Sequence, residues 1–164
     1  MGEGANINTK DSNGWTPLHQ AAENGYELLV GHLIDHGATI EAITYKGWTP
    51  LHLAVSQGHD ALAKFLIEKG ANIEAMTPEK TTPLQQAIEN GHGTIARTLI
   101  ENGADITKKH SDGWTLLHWA AKHGIEDVVR MLLNVETDVE SRNFSYLPAL
   151  RHAILNGNGV IALI

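Results

Sequence analysis

The six residues Gly14-Trp15-Thr16-Pro17-Leu18-His19 recur letter for letter at 47–52, and with one change, Gly-Trp-Thr-Leu-Leu-His, at 113–118. The first interval is 33 residues and the second is twice that, which locates a further copy, Lys-Thr-Thr-Pro-Leu-Gln, at 80–85. Steps of 33 keep whole columns in register without a gap. Leu18, Leu51, Leu84, Leu117 and Leu150 form one column, and Ala21, Ala54, Ala87, Ala120 and Ala153 another. Gly25, Gly58, Gly91, Gly124 and Gly157 form a third. A fixed period of this length restricts the chain to an array of units that lean on their neighbours and cannot fold alone.

Each letter of the motif has a physical task. Thr16 is an N-cap, its hydroxyl accepting from the open amides of a first helical turn. Pro17 follows at the first helical position, where a missing N–H costs nothing. Leu18, Ala21 and Ala22 give a short helix one apolar face, and the small alanines let neighbouring units pack closely. Gly25 stops this helix in a left-handed conformation. A second helix is predicted over about 27–36, with Leu29, Val30, Leu33 and Ile34 at helical spacing, and Gly37 stops it. The Gly37-Ala38 step recurs as Gly70-Ala71 and Gly103-Ala104. From Thr39 the chain runs extended to a glycine turn at Gly47. One unit is therefore helix, turn, helix, extended hairpin.

These features resemble the ankyrin repeat. They are Thr16-Pro17-Leu18-His19, Thr49-Pro50-Leu51-His52, Thr82-Pro83-Leu84-Gln85 and Thr115-Leu116-Leu117-His118, with the Gly-Ala step after each second helix. The resemblance covers nearly the whole chain, from residue 5 to 164. It implies an all-α solenoid of helix-turn-helix units joined by β-hairpin-like loops. The expected domain is a single array over 1–164. Residues 1–13 are the tail of a preceding repeat, repeats follow at 14–46, 47–79, 80–112 and 113–145, and 146–164 is a partial fifth. That pattern of ends is expected of a fragment of a longer array. Departures gather late: Lys80-Thr81 for Gly-Trp, Gln85 for His, Leu116 for Pro, Glu136 in the glycine column, Pro148 in the threonine column and Arg151 in the histidine column. Residues from 136 onward are expected to fray first.

The apolar share of 42% and charged share of 19% are a globular balance. A net charge of -7 weighs against nucleic-acid and anionic-membrane partners, which need a basic surface. Lys108-Lys109-His110 lies between Asp105 and Asp112 and reads as a solvated loop. The absence of cysteine excludes disulfides and thiol chemistry and fits a reducing compartment. No apolar run is long enough for a signal peptide core or a bilayer span, and the expected location is cytoplasmic or nuclear.

Ten histidines raise the question of metal. His19, His52 and His118 belong to the motif and recur one or two repeats apart, too far to share an ion. The resemblance implies that they tie the first helix to neighbouring backbone. His32 and His36 are an i, i+4 pair without a third ligand in the stretch, and no metal or other cofactor is expected. Nucleophile and phosphate-loop motifs are absent, and the chain is expected not to be an enzyme. Family members can be hydroxylated at an asparagine of the extended segment. That column reads Asn8, Glu41, Glu74, Thr107 and Glu140, so only its first member suits the reaction.

Binding is what remains. The resemblance implies that hairpin tips and first helices line a concave face where a protein partner docks. The candidate contacts there are Trp15, Tyr45, Lys46, Trp48, Gln86, Asp112, Trp114, Trp119, Lys122 and His123. The tryptophans before the threonine recur with the motif and suit packing as well as anchoring. Trp119 stands apart, because its column reads Gln20, Leu53, Gln86, Trp119, His152 and does not demand the ring. The expected role is a non-catalytic protein-interaction scaffold. The alternative is a sensor or targeting segment of a larger receptor or enzyme, docked on its own chain. A monomer is expected, with end-to-end association open to uncapped terminal repeats.

Overall fold

The computed structural model describes residues 6–108 and 113–134, together with Arg151, Ile154, Leu155, Gly157 and Asn158. The regular elements among them are helices: α1 (Pro17–Glu23), α2 (Glu27–Asp35), α3 (Pro50–Ser56), α4 (Asp60–Glu68), α5 (Pro83–Glu89), α6 (Gly93–Glu101), α7 (Leu116–His123) and α8 (Glu126–Leu133). The chain divides into two compact units, Met1–Pro83 and Leu84–Ile164. The expectations placed on Asp112, on Glu136 and Pro148, and on the order of the chain from 136 onward lie outside the described residues, apart from an exposed Arg151.

The first helices begin as the motif dictates. Thr16, Thr49 and Thr115 are extended N-caps, and each hydroxyl accepts the backbone N–H three residues on. The histidine at that third position completes the box. At α1, His19 Nδ1 accepts from the Thr16 backbone N–H at 3.1 Å and from the Thr16 hydroxyl at 2.8 Å. Two orphan amides are thereby satisfied reciprocally, as in a capping box closed by Glu or Gln.

Both helices of a unit end in the same way. The Tyr26 N–H donates to Ala21 O and the Gly25 N–H to Ala22 O, the paired bonds of a Schellman cap, with Gly25 at φ +71°. At the end of α2 the Ala38 N–H donates to Leu33 O and the Gly37 N–H to Ile34 O, with Gly37 at φ +90°. This explains the alanine of the Gly-Ala step. Its amide closes the cap, and its methyl is buried at Ala38, Ala71 and Ala104 alike.

In the first unit α1 packs on α2 and α3, and α4 on α3 and α2. Leu18, Ala21, Ala22, Val30, Leu51, Ala54, Leu62 and Leu66 form its core. In the second unit α8 packs on α6 and α7, with Ile95, Leu99, Ala120, Val128 and Leu132 buried. The alanine column, Ala21, Ala54, Ala87 and Ala120, is at most 2% exposed, so the small residues sit where helices approach.

Candidate protein-binding surface

Hairpin tips in the first unit are short turns. The Thr44 N–H donates to Trp48 O and the Gly47 N–H to Thr44 O, and Asp11, Gly14 and Trp15 repeat the arrangement one unit earlier. Consecutive tips are tied: the Tyr45 N–H donates to Asn13 O at 3.1 Å. His19 fastens the same level from below. Its Nε2 faces Ala42 O at 2.9 Å and Trp48 O at 3.1 Å. Carbonyls only accept, so the proton is on Nε2 and Nδ1 is left as the acceptor used in the capping box. Burial holds His19 and His52 below the usual histidine range, which keeps the neutral ring this arrangement requires. At His52 the carbonyls of Thr81 and Ala75 occupy the equivalent places, but Nε2 makes no bond of full hydrogen-bond geometry.

Trp15 and Trp48 are half-buried, and each ring tilts against its motif histidine, with centroids 6.1 Å and 6.3 Å apart. Trp114 repeats the contact with His118 at 5.7 Å. The tryptophan column therefore has a packing role in its own repeat. Tyr45 is 71% exposed and Lys46 is exposed beside it, with Lys10 Nζ lying 6.0 Å from the Tyr45 ring.

In the second unit the candidates do not share one fate. Gln86 is only 7% exposed, with Oε1 buried and without a hydrogen bond, and it offers a partner little surface. Trp114, Trp119, Lys122 and His123 come together instead. The indoles of Trp114 and Trp119 meet at 4.6 Å between centroids, inclined by 43°. The His123 ring stacks on Trp119 at 6.0 Å and 11°. Lys122 Nζ lies 4.4 Å from the Trp119 centroid and 5.5 Å from that of Trp114. A cation over indole faces is worth on the order of 0.5–2 kcal/mol, more as water is excluded. Burial, and then the Lys122 charge, hold His123 below its usual range. The last turn of α7 is tied to Asn158, whose Nδ2 donates to Ala121 O and Lys122 O at 2.9 Å.

Two further ties are not legible in the motif columns. Asn8 accepts the Thr39 N–H at 2.8 Å and donates to Gly37 O, and Glu41 Oε1 accepts the Asn72 N–H at 2.9 Å. At these two positions the column joins one loop of the first unit to the next. His59 Nε2 donates to Glu23 O at 2.8 Å, the role Asn158 plays for α7. The His32 and His36 rings meet at 4.1 Å between centroids, tilted by 41°, beside Asn6, Ile7 and Pro17, and His36 Nδ1 donates to His32 O. Among the described residues no three His, Asp or Glu side chains converge as metal ligands, and no helix is long and apolar enough to cross a membrane.

A family model described as ankyrin repeats, in three copies, matches residues 1–77 and again 74–143. No curated protein matches the chain.

Proposed function

The chain belongs to the ankyrin repeat family, whose repeats generally serve as protein–protein interaction modules, and from that premise we propose that this one is a non-catalytic scaffold that grips a protein partner on the side of its hairpin tips and first helices. The observation that carries the proposal is the cluster of Trp114, Trp119, Lys122 and His123. Rigid, half-buried aromatic rings anchor interfaces at low entropic cost. Trp15, Tyr45, Lys46 and Trp48 present a second, lesser aromatic surface in the first unit.

The test is affinity capture from the source cell, followed by binding measurements with the captured partner. Trp114→Ala and Trp119→Ala are expected to weaken binding by about 2 kcal/mol or more each. Lys64→Ala, on the exposed face of α4, leaves it unchanged. Circular dichroism controls for Trp114→Ala, which also removes the contact with His118. Equal loss from all three changes, or loss only in step with helicity, sinks the proposal.

A further inference from the structure

The last turn of each first helix shows where the second unit departs from the array. Three positions read Gln20, Glu23, Asn24 at the end of α1, Leu53, Ser56, Gln57 at the end of α3 and Gln86, Glu89, Asn90 at the end of α5. In α7 the same three are Trp119, Lys122 and His123. The array thus tolerates an acidic residue or a serine where α7 has a lysine, and an amide or leucine where it has an indole. The fold does not call for this trio, yet its members contact one another. A cation near a helix C-terminus complements the dipole. That accounts for one positive charge there but not for the Trp119 indole brought under it beside the motif's Trp114.

Among the described residues Lys122, like Lys10, Lys46 and Lys80, has no carboxylate within 4.0 Å, unlike the paired cations of the second helices. Lys64, Lys69, Arg97 and Arg130 are each within 4.0 Å of a carboxylate, of Glu68, Asp35, Asp127 and Glu126. Lys122 is instead held by indole faces on one side. The ring quadrupole orients the ammonium without neutralising it. Among the described residues no anion lies against it, and an anion is the complement such a group calls for.

Resting on the reading of this side as the binding surface, we infer that the patch receives an acidic segment of a protein partner, with one Asp or Glu carboxylate pairing with Lys122 Nζ and an adjacent apolar side chain lying on Trp119. The net charge of -7 does not oppose this at contact range. Exposed charges are screened beyond a Debye length of about 8 Å in physiological salt, whereas the ammonium lies within the patch. A basic spot on an acidic molecule also fixes where an acidic segment can land.

The test displays short random peptides against the intact chain and measures the selected sequences individually. Selected peptides are expected to carry Asp or Glu beside an apolar residue. Lys122→Met weakens them about tenfold or more, and Lys122→Arg largely preserves binding. Replacing the peptide's Glu by Gln brings the same loss, and combining it with Lys122→Met adds little further, as a direct pair requires. Peptides that depend on Trp119 but are neutral or basic overturn the acidic assignment and leave the binding surface standing. Peptides indifferent to Trp119→Ala, or no selection above background, overturn both. An oligothymidine that competes for the patch more strongly than any peptide overturns the protein assignment.

Discussion

Lys80 adopts φ +63°, the only non-glycine residue at positive φ among those described. Its column holds Gly14, Gly47 and Gly113 at φ +78°, +73° and +79°. A side chain in this region costs on the order of 1 kcal/mol, and Lys80 is exposed, so no burial offsets the strain. Lys80→Gly is therefore expected to stabilise the chain by up to about 1 kcal/mol, part of the gain being lost to a freer unfolded state. Urea denaturation reads the difference, and an unchanged midpoint would show that the loop relaxes the strain for itself. Gly14 reports a second constraint at the same place. A Cβ there would meet the Tyr45 backbone nitrogen at 2.7 Å, whereas at Gly37, also left-handed, it would meet nothing within 4 Å. Gly14→Ala should then cost clearly more than Gly37→Ala, since only the first adds a clash with the next hairpin to the strain of its own backbone.

At the scale of the element, the first helices were legible because each carries its start and stop in its own letters. Thr16, Pro17 and Gly25 act locally, and the structure uses each as its chemistry suggests. The second helices were legible in their apolar spacing and terminal glycine but not in how they begin. Tyr26, His59, His92 and Ile125 occupy their N-cap positions, and none makes a side-chain cap. Their start is inherited from the Schellman turn that closes the helix before, which also explains why so varied a column suffices. The candidate surface was legible in the same uneven way. Trp119 could be singled out because its column does not require it. Its convergence with Lys122 and His123 follows from side-chain packing that no column spells, and the burial of Gln86 likewise. The capping box gives the sharpest test at this scale. Thr49→Ala removes the cap of α3 and the hydroxyl that His52 Nδ1 receives. It should cost about 1–2 kcal/mol in thermal or urea unfolding, and Thr49→Ser should restore most of it. Equal losses from the two changes would move the effect from the hydroxyl to the methyl.

Across the whole molecule, the same histidines tie stability to pH. His19 and His52 are fully buried, and burial lowers both below the usual value of 6.5. A lowered pKa means that the unfolded chain takes up the proton first. Their contribution to stability is therefore complete above about 6.5 and declines as the pH falls from there towards the folded-state values. The slope in that window is at most about 1.4 kcal/mol per pH unit for each ring. His123 shifts in the same direction, but it is exposed and adds less. The array itself supplies the control, because Gln85 stands buried in the histidine column of the third repeat. A chain carrying His19→Gln and His52→Gln keeps a side-chain acceptor and donor at both places but has nothing there to protonate. Urea unfolding in steps from pH 7.5 to 5 should show the parent losing stability below 6.5. The double variant, less stable at neutral pH, should show a flatter profile, so that the two curves approach each other on acidification. Parallel curves would mean that the buried rings do not carry the acid response, and that the neutral Nε2–H tautomer assigned to His19 is not what acid titrates.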